Sequence, residues 1–234
     1  MHKPVGFDQK IELKHLDITI KEARVSDRKD MYGKLDEYLK QDIKGDKSRK
    51  NAITMLMKIW YLVDKEQESI KEQAYELYPI LEEEQRLILH WGMTLLAYPF
   101  FKDVIEEMGN LFRLQNEVSS QQLGRRIKML YGDRRRVEVA TSAVLMSLKT
   151  WGIIERGKNQ VYTLNKKTAL EEVKLKNWLL KVLLSVSEYK TMPLMMISNL
   201  NLLFPFDLKL NINEIDTTEI KIDRQGLDTY MLSL

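Results

Sequence analysis

The sequence predicts a mainly α-helical protein in three parts: a helical N-terminal bundle (1–98), a middle domain ending in a small β-hairpin (99–167), and a helical C-terminal part with a short β segment (168–234). Three observations carry that expectation. Apolar residues recur at i, i+3, i+4, i+7 through most of the chain, the spacing of one-sided helices. Prolines stand at positions 4, 79, 99, 193 and 205 and leave 100–192 uninterrupted. Two-residue alternation appears at 153–164, 206–212 and 219–223. A chain of 234 residues with 44% hydrophobic and 30% charged content has enough apolar material for a core, which excludes disorder as its main state.

In the first part, residues 29–43 place Met31, Leu35, Tyr38 and Leu39 on one stripe, and residues 49–63 do the same with Ile53, Leu56, Met57, Trp60 and Tyr61. Between them, Gly45 is expected to stop the first helix and Ser48 to cap the second, making a hairpin. A third helix is expected over 67–77. Glu82, Glu83 and Glu84 then suit the positive end of a fourth helix, whose apolar residues through Ala97 cover more than one face and predict burial. His90 and Trp91 in that run read as packed core residues. The three histidines, His2, His15 and His90, have no metal-site spacing.

The middle part opens with a helix over 101–114 that buries Val104, Ile105, Met108, Leu111 and Phe112. Asn116, Glu117 and Val118 form a short extended step. Ser119 with Gln122 three residues on is a capping box, and Leu123, Ile127 and Leu130 supply the core side of the helix it starts. Gly132 suits a left-handed stop and Asp133 the N-cap of the next helix. On a wheel of about 100° per residue, Val137, Ala140, Thr141, Val144, Leu148 and Trp151 share the core face of that helix. Arg135, Glu138, Val139, Ser142, Met146 and Lys149 share the opposite face, flanked by Arg134 and Arg136. Gly152 ends the helix, and 153–164 reads as two strands around a polar turn with Gly157 and Asn159.

Charge singles out the same region. Residues 118–167 hold eleven basic and three acidic side chains, a net of +8, whereas 64–86 carries a net of −5 and the whole chain +3. A basic segment in an otherwise acidic chain is the footprint of a polyanion-binding face.

The capped helix 119–130, the Gly132-Asp133 turn, the helix end at Leu148-Lys149-Thr150-Trp151-Gly152-Ile153-Ile154 and the tip Arg156-Gly157-Lys158-Asn159-Gln160 followed by Val161-Tyr162-Thr163-Leu164 resemble the winged helix-turn-helix family over about 55 residues. The resemblance implies double-stranded DNA as partner, with the second helix of the pair in the major groove and the hairpin on neighbouring phosphates. By position, Arg134, Arg135, Val139 and Ser142 then face the groove, with Arg136 beside them. Arg156, Lys158 and Asn159 belong to the wing, while Arg125, Arg126 and Lys128 hold the backbone. Glu138 departs from the pattern, since it would repel phosphate unless it accepts from a cytosine amino group. Some members of the family have lost DNA and dock proteins, which is the alternative reading. A looser resemblance, carried by His90-Trp91-Gly92 and Tyr98-Pro99-Phe100-Phe101-Lys102-Asp103-Val104, is to BrxA-type accessory proteins of bacterial phage-defence clusters. It implies a DNA-associated subunit of a restriction-like complex.

In the last part, Thr168 is expected to cap a helix with Glu171 at its third position, continuing through Trp178 and Val186 to about Tyr189. A short helix over 194–203 follows. A strand over 206–212 is expected to pair with 219–223, and the apolar tail Leu227, Tyr230, Met231, Leu232 and Leu234 to dock either on its own core or on a partner in a homo-oligomer or larger complex.

An enzyme is not expected, because phosphate-binding glycine loops, the nucleophile elbow and metal-binding histidine pairs are all missing. No cofactor or metal is implied. Glu82, Glu83 and Glu84 point around a helix and do not converge on a cation. Zero cysteines removes disulfides, thiolate nucleophiles and zinc–sulfur sites, and with no apolar leader at the start or spanning run of about 20 residues the expectation is a cytoplasmic protein with no membrane contact.

Overall fold

The structure, a computed structural model, describes residues 3–226 and 229–234. It is mainly helical with several small sheets. Helix α1 (Leu13–Ala23) has no counterpart among the expected elements; it buries His15, Leu16, Thr19 and Ile20, a stripe too short and too polar to stand out. Helix α2 (Arg28–Leu39) is capped by Asp27, whose carboxylate accepts from the Asp30 amide at 2.9 Å, and buries Met31, Leu35 and Leu39 as expected. Helix α3 (Asp46–Trp60) starts earlier than its stripe suggests. Gly45 is its N-cap, not the stop of α2, and Ser48 lies within its first turn. The cause is Arg49, which turns back to bind Asp36 (2.6 Å), Asp46 (3.1 Å) and the Ile43 and Lys44 carbonyls (3.1 and 3.2 Å), tying the connector to the helix.

Helix α4 (Glu68–Leu77) leads to α5 (Glu83–Ala97), whose N-cap Glu82 donates its amide to the Gln85 side chain at 3.2 Å. Every residue from Ile88 to Ala97 is buried. Trp91 is the hub: its ring meets Phe101, Trp151, Phe204 and Phe206 edge-on at centroid distances of 5.6, 6.4, 5.8 and 5.3 Å. Next to it, Gly92 has no room for a side chain, because a Cβ there would lie 2.5 Å from the Trp178 ring. His90 is packed as expected, its Nε2 3.1 Å from Asp17, which also accepts from the Tyr78 hydroxyl at 2.5 Å.

Helix α6 (Pro99–Phe112) begins with proline at its first position, where no amide partner is needed. Strand β1 (Glu117–Ser119) and helix α7 (Ser120–Tyr131) follow, and the Ser119–Gln122 capping box forms as read: Ser119 Oγ accepts from the Gln122 amide at 3.1 Å. Leu130, expected in the core, is exposed. Tyr131 takes that place, its ring 4.8 Å from Phe100 and its hydroxyl donating to Asp103 at 2.9 Å, because the buried stripe runs Leu123, Ile127, Tyr131 in steps of four. Gly132 ends the helix at a positive φ of 85°, but its ψ of 158° is extended and not the left-handed stop expected; glycine alone adopts this conformation readily. The N-cap of α8 (Arg135–Thr150) is Arg134, not Asp133, whose carboxylate instead meets Lys128 at 2.8 Å. Strands β2 (Ile154–Arg156) and β3 (Val161–Leu164) form the hairpin, and β1 adds to it antiparallel in the order β1-β3-β2.

The C-terminal part differs most from expectation. Thr168 does not cap a helix; it opens β4 (Thr168–Leu170), and α9 (Val173–Val186) starts after Glu172. Strand β5 (Met192–Pro193) runs into α10 (Leu194–Ile197), so the helix expected over 194–203 breaks after one turn. Strand β6 (Phe206–Leu208) pairs in parallel with β4, not with the residues after 219. Those residues form β7 (Lys221–Gln225), which pairs with the tail as β8 (Thr229–Ser233); β5 closes the other side of β8. The tail therefore docks on its own chain, with Leu232 fully buried, while Leu227 lies outside the described residues, as does His2. The buried side chains from Val5 to Leu232 make one hydrophobic cluster.

Candidate nucleic-acid interface

The wheel assignment of α8 holds. Val137, Ala140, Thr141, Val144, Leu148 and Trp151 are buried, and Arg135, Glu138, Val139, Ser142, Met146 and Lys149 are exposed. Burial of the first set is what fixes the second outward. Two grooves border the outward face. One, between α7, α8 and the hairpin tip, is lined by Ser120, Arg125, Lys128, Glu138, Ser142 and Gln160, and the Ser120 hydroxyl reaches Gln160 at 3.1 Å. The other lies between α8 and the N-terminal segment, with Gln9 and Lys10 facing Arg135, Val139, Ser142 and Met146.

The charged and polar candidates divide into two groups. Arg125, Arg156, Lys158 and Asn159 are exposed and, among the described residues, their side chains make no hydrogen bond or ion pair. The others are engaged. Arg126 pairs with Glu107 at 2.9 Å, and Arg136 with Asp8 at 3.4 Å. Lys128 binds both Asp133 (2.8 Å) and Glu138 (2.6 Å), and Arg135, 86% exposed, reaches the other oxygen of Glu138 at 3.1 Å. Hydrogen bonds from Lys128 first and Arg135 second hold the Glu138 carboxyl below its usual range. Bonds to Asp133 and Glu138 push Lys128 up. Lys128 and Arg135 thus balance Glu138 and Asp133 in a four-residue cluster of no net charge.

Arg134 departs from its expected place in the groove. Its guanidinium donates to the Tyr131 carbonyl at 2.9 Å and the Lys3 carbonyl at 3.1 Å, and its buried Nε has no partner among the described residues. It fastens the N-terminal segment to the start of α8. That segment runs beside the helix: the Ile11 amide donates to Ser147 Oγ at 3.0 Å, and the Trp151 indole donates to the Ile11 carbonyl at 2.9 Å. Gln9, Lys10 and Gln121 also line the grooves, beyond the residues that the sequence pattern singles out. A wheel drawn for one helix cannot find them, because they come from other elements.

The hairpin tip is tight. Asn159 and Gln160 both take positive φ, 56° and 58°, and the Gly157 amide closes the turn onto the Val161 carbonyl at 2.8 Å.

No family model, curated protein or solved structure matches this chain.

Among the described residues, no group of three or more histidine, aspartate or glutamate side chains is placed to hold a metal ion, and no helix is long and apolar enough to cross a membrane.

Proposed function

We propose that residues 99–167 form a winged helix-turn-helix that binds double-stranded DNA without catalysing a reaction on it. The observation that carries this reading is the convergence of α7, α8 and the hairpin tip on one surface, bearing Arg125, Lys128, Glu138, Ser142 and Gln160 in the segment of net charge +8, with Arg135 in the adjoining groove of α8. In the proposed complex α8 enters the major groove, with Arg135, Val139 and Ser142 nearest the bases. Arg125, Arg156 and Lys158, unengaged in the free protein, meet phosphates at its rim, and Asn159 supports them from the tip. Because Arg126, Arg134 and Arg136 are held by protein partners, their contribution to binding is secondary.

A role as accessory subunit in a phage-defence or restriction-like complex of the bacterial cytoplasm extends this reading and rests on the sequence resemblance at 90–92 and 98–104. The second reading is protein docking through the same surface, which the exposed Val139 and Met146 on α8 favour. Titration of duplex DNA at several salt concentrations tests the proposal. Binding that weakens steeply with salt supports it, whereas no binding even at low salt turns the surface over to a protein.

A further inference from the structure

Glu138 is the one acidic residue on the outward face of α8, and its surroundings are built. Lys128 reaches across from α7 to one carboxylate oxygen at 2.6 Å, and Arg135 reaches up one turn to the other at 3.1 Å. A carboxylate offers about four acceptor sites, so two remain open. Arg135 spends one of its five donors on this bond and keeps the rest. Side by side on an exposed helix face stand an acceptor and a planar donor fork, clamped to each other and relieved of net negative charge.

In the major groove the edge of a C·G pair presents the complementary array, an amino donor on cytosine and the O6 and N7 acceptors on guanine. We propose that the Arg135–Glu138 pair, braced by Lys128, reads C·G base pairs, with Glu138 accepting from the cytosine amino group and Arg135 donating to guanine of the same or the adjacent pair. This deepens the DNA-binding reading and rests on it. The ion pair reduces the problem that a lone glutamate creates near phosphates: the carboxylate enters the groove balanced by Arg135, with Lys128 bridging it to Asp133. It also biases both side chains toward this arrangement before DNA arrives.

The experiment is selection of bound duplexes from a randomised pool by the full chain, carried out in parallel with the near-isosteric variant Glu138→Gln. The wild-type protein is expected to enrich a site containing a C·G pair, preferred by about 5- to 150-fold over other pairs at that position. The variant is expected to bind duplex DNA and to lose that preference in favour of adenine, since a glutamine amide both donates to N7 and accepts from N6 of adenine. A wild-type site with no preferred C·G pair, or the same preference retained by Glu138→Gln, overturns the inference while leaving DNA binding intact. Absence of salt-sensitive duplex binding by the wild-type chain overturns both.

Discussion

The first turn of α8 and the rim formed by α7 with the hairpin tip carry the same kind of side chain in opposite states. At the helix start, Arg134 is spent on the backbone carbonyls of Tyr131 and Lys3, Arg136 on Asp8, and Arg135 on Glu138. At the rim, Arg125, Arg156 and Lys158 stand in water without partners among the described residues. The difference separates two jobs that net charge merges. An unpaired cation is free to neutralise a phosphate and release the counterions condensed on the DNA, so it contributes salt-dependent affinity. A paired cation holds a shape, and in the case of Arg135 that shape includes the acceptor beside it.

The sharpest break of this comparison removes the rim. The triple variant R125A/R156A/K158A is expected to lower the log–log slope of binding against salt by about 2.7, at roughly 0.9 for each phosphate that is no longer neutralised. Exposed side chains without partners leave stability within about 0.5 kcal/mol of the parent. Binding isotherms at four or more salt concentrations, with a denaturant curve alongside, read both quantities. An unchanged slope places the DNA elsewhere.

The converse variant is R134A. It removes two bonds from a charged donor to backbone carbonyls and detaches the segment around Lys3 from α8, at a cost of about 1.5 to 3 kcal/mol. The denaturation midpoint should fall while the salt slope stays as in the parent. A slope reduced by about 0.9 with no loss of stability would make Arg134 a phosphate ligand after all.

How much of this was legible in the sequence follows from the range of the interactions. The Ser119–Gln122 box and the six buried positions from Val137 to Trp151 are set by residues within a few turns of one another, and each forms as read, while Gly132 ends its helix as expected but in an extended conformation. Asp133 shows where local reasoning stops, because a good N-cap residue is drawn off by Lys128 on the preceding helix. At Thr168 a good capping sequence is overridden by Phe206–Leu208, which offers a strand from 36 or more residues away. In the candidate site, the outward face of α8 was visible from the wheel, but the direction of Arg134 and the course of residues 3–11 along the helix were not. Both depend on where the chain's first residues pack, and no periodicity records that.

A smaller effect concerns acid, and it sharpens the contrast between the basic segment and the helical part before it. Residues 118–167 contain no histidine. His15 and His90, by contrast, are both buried, and burial is the main cause that holds each below its usual value, against the opposing pull of Asp42 on His15 and Asp17 on His90. A histidine depressed in the folded state binds its proton more readily once unfolded. Its contribution is therefore fully present above the unfolded value of about 6.5 and declines as pH falls through 6.5 toward the folded value. Stability should drop on acidification from pH 7 to pH 5, while the salt slope of DNA binding, measured where the protein remains folded, should not change over that range. The variant His90→Gln should flatten part of the stability profile relative to its own value at pH 7, and it should leave the slope alone. A slope that moved between pH 5.5 and pH 7 in the folded protein would mean that a titrating group outside 118–167 touches the DNA, and the division between a histidine-bearing scaffold and a histidine-free interface would fail.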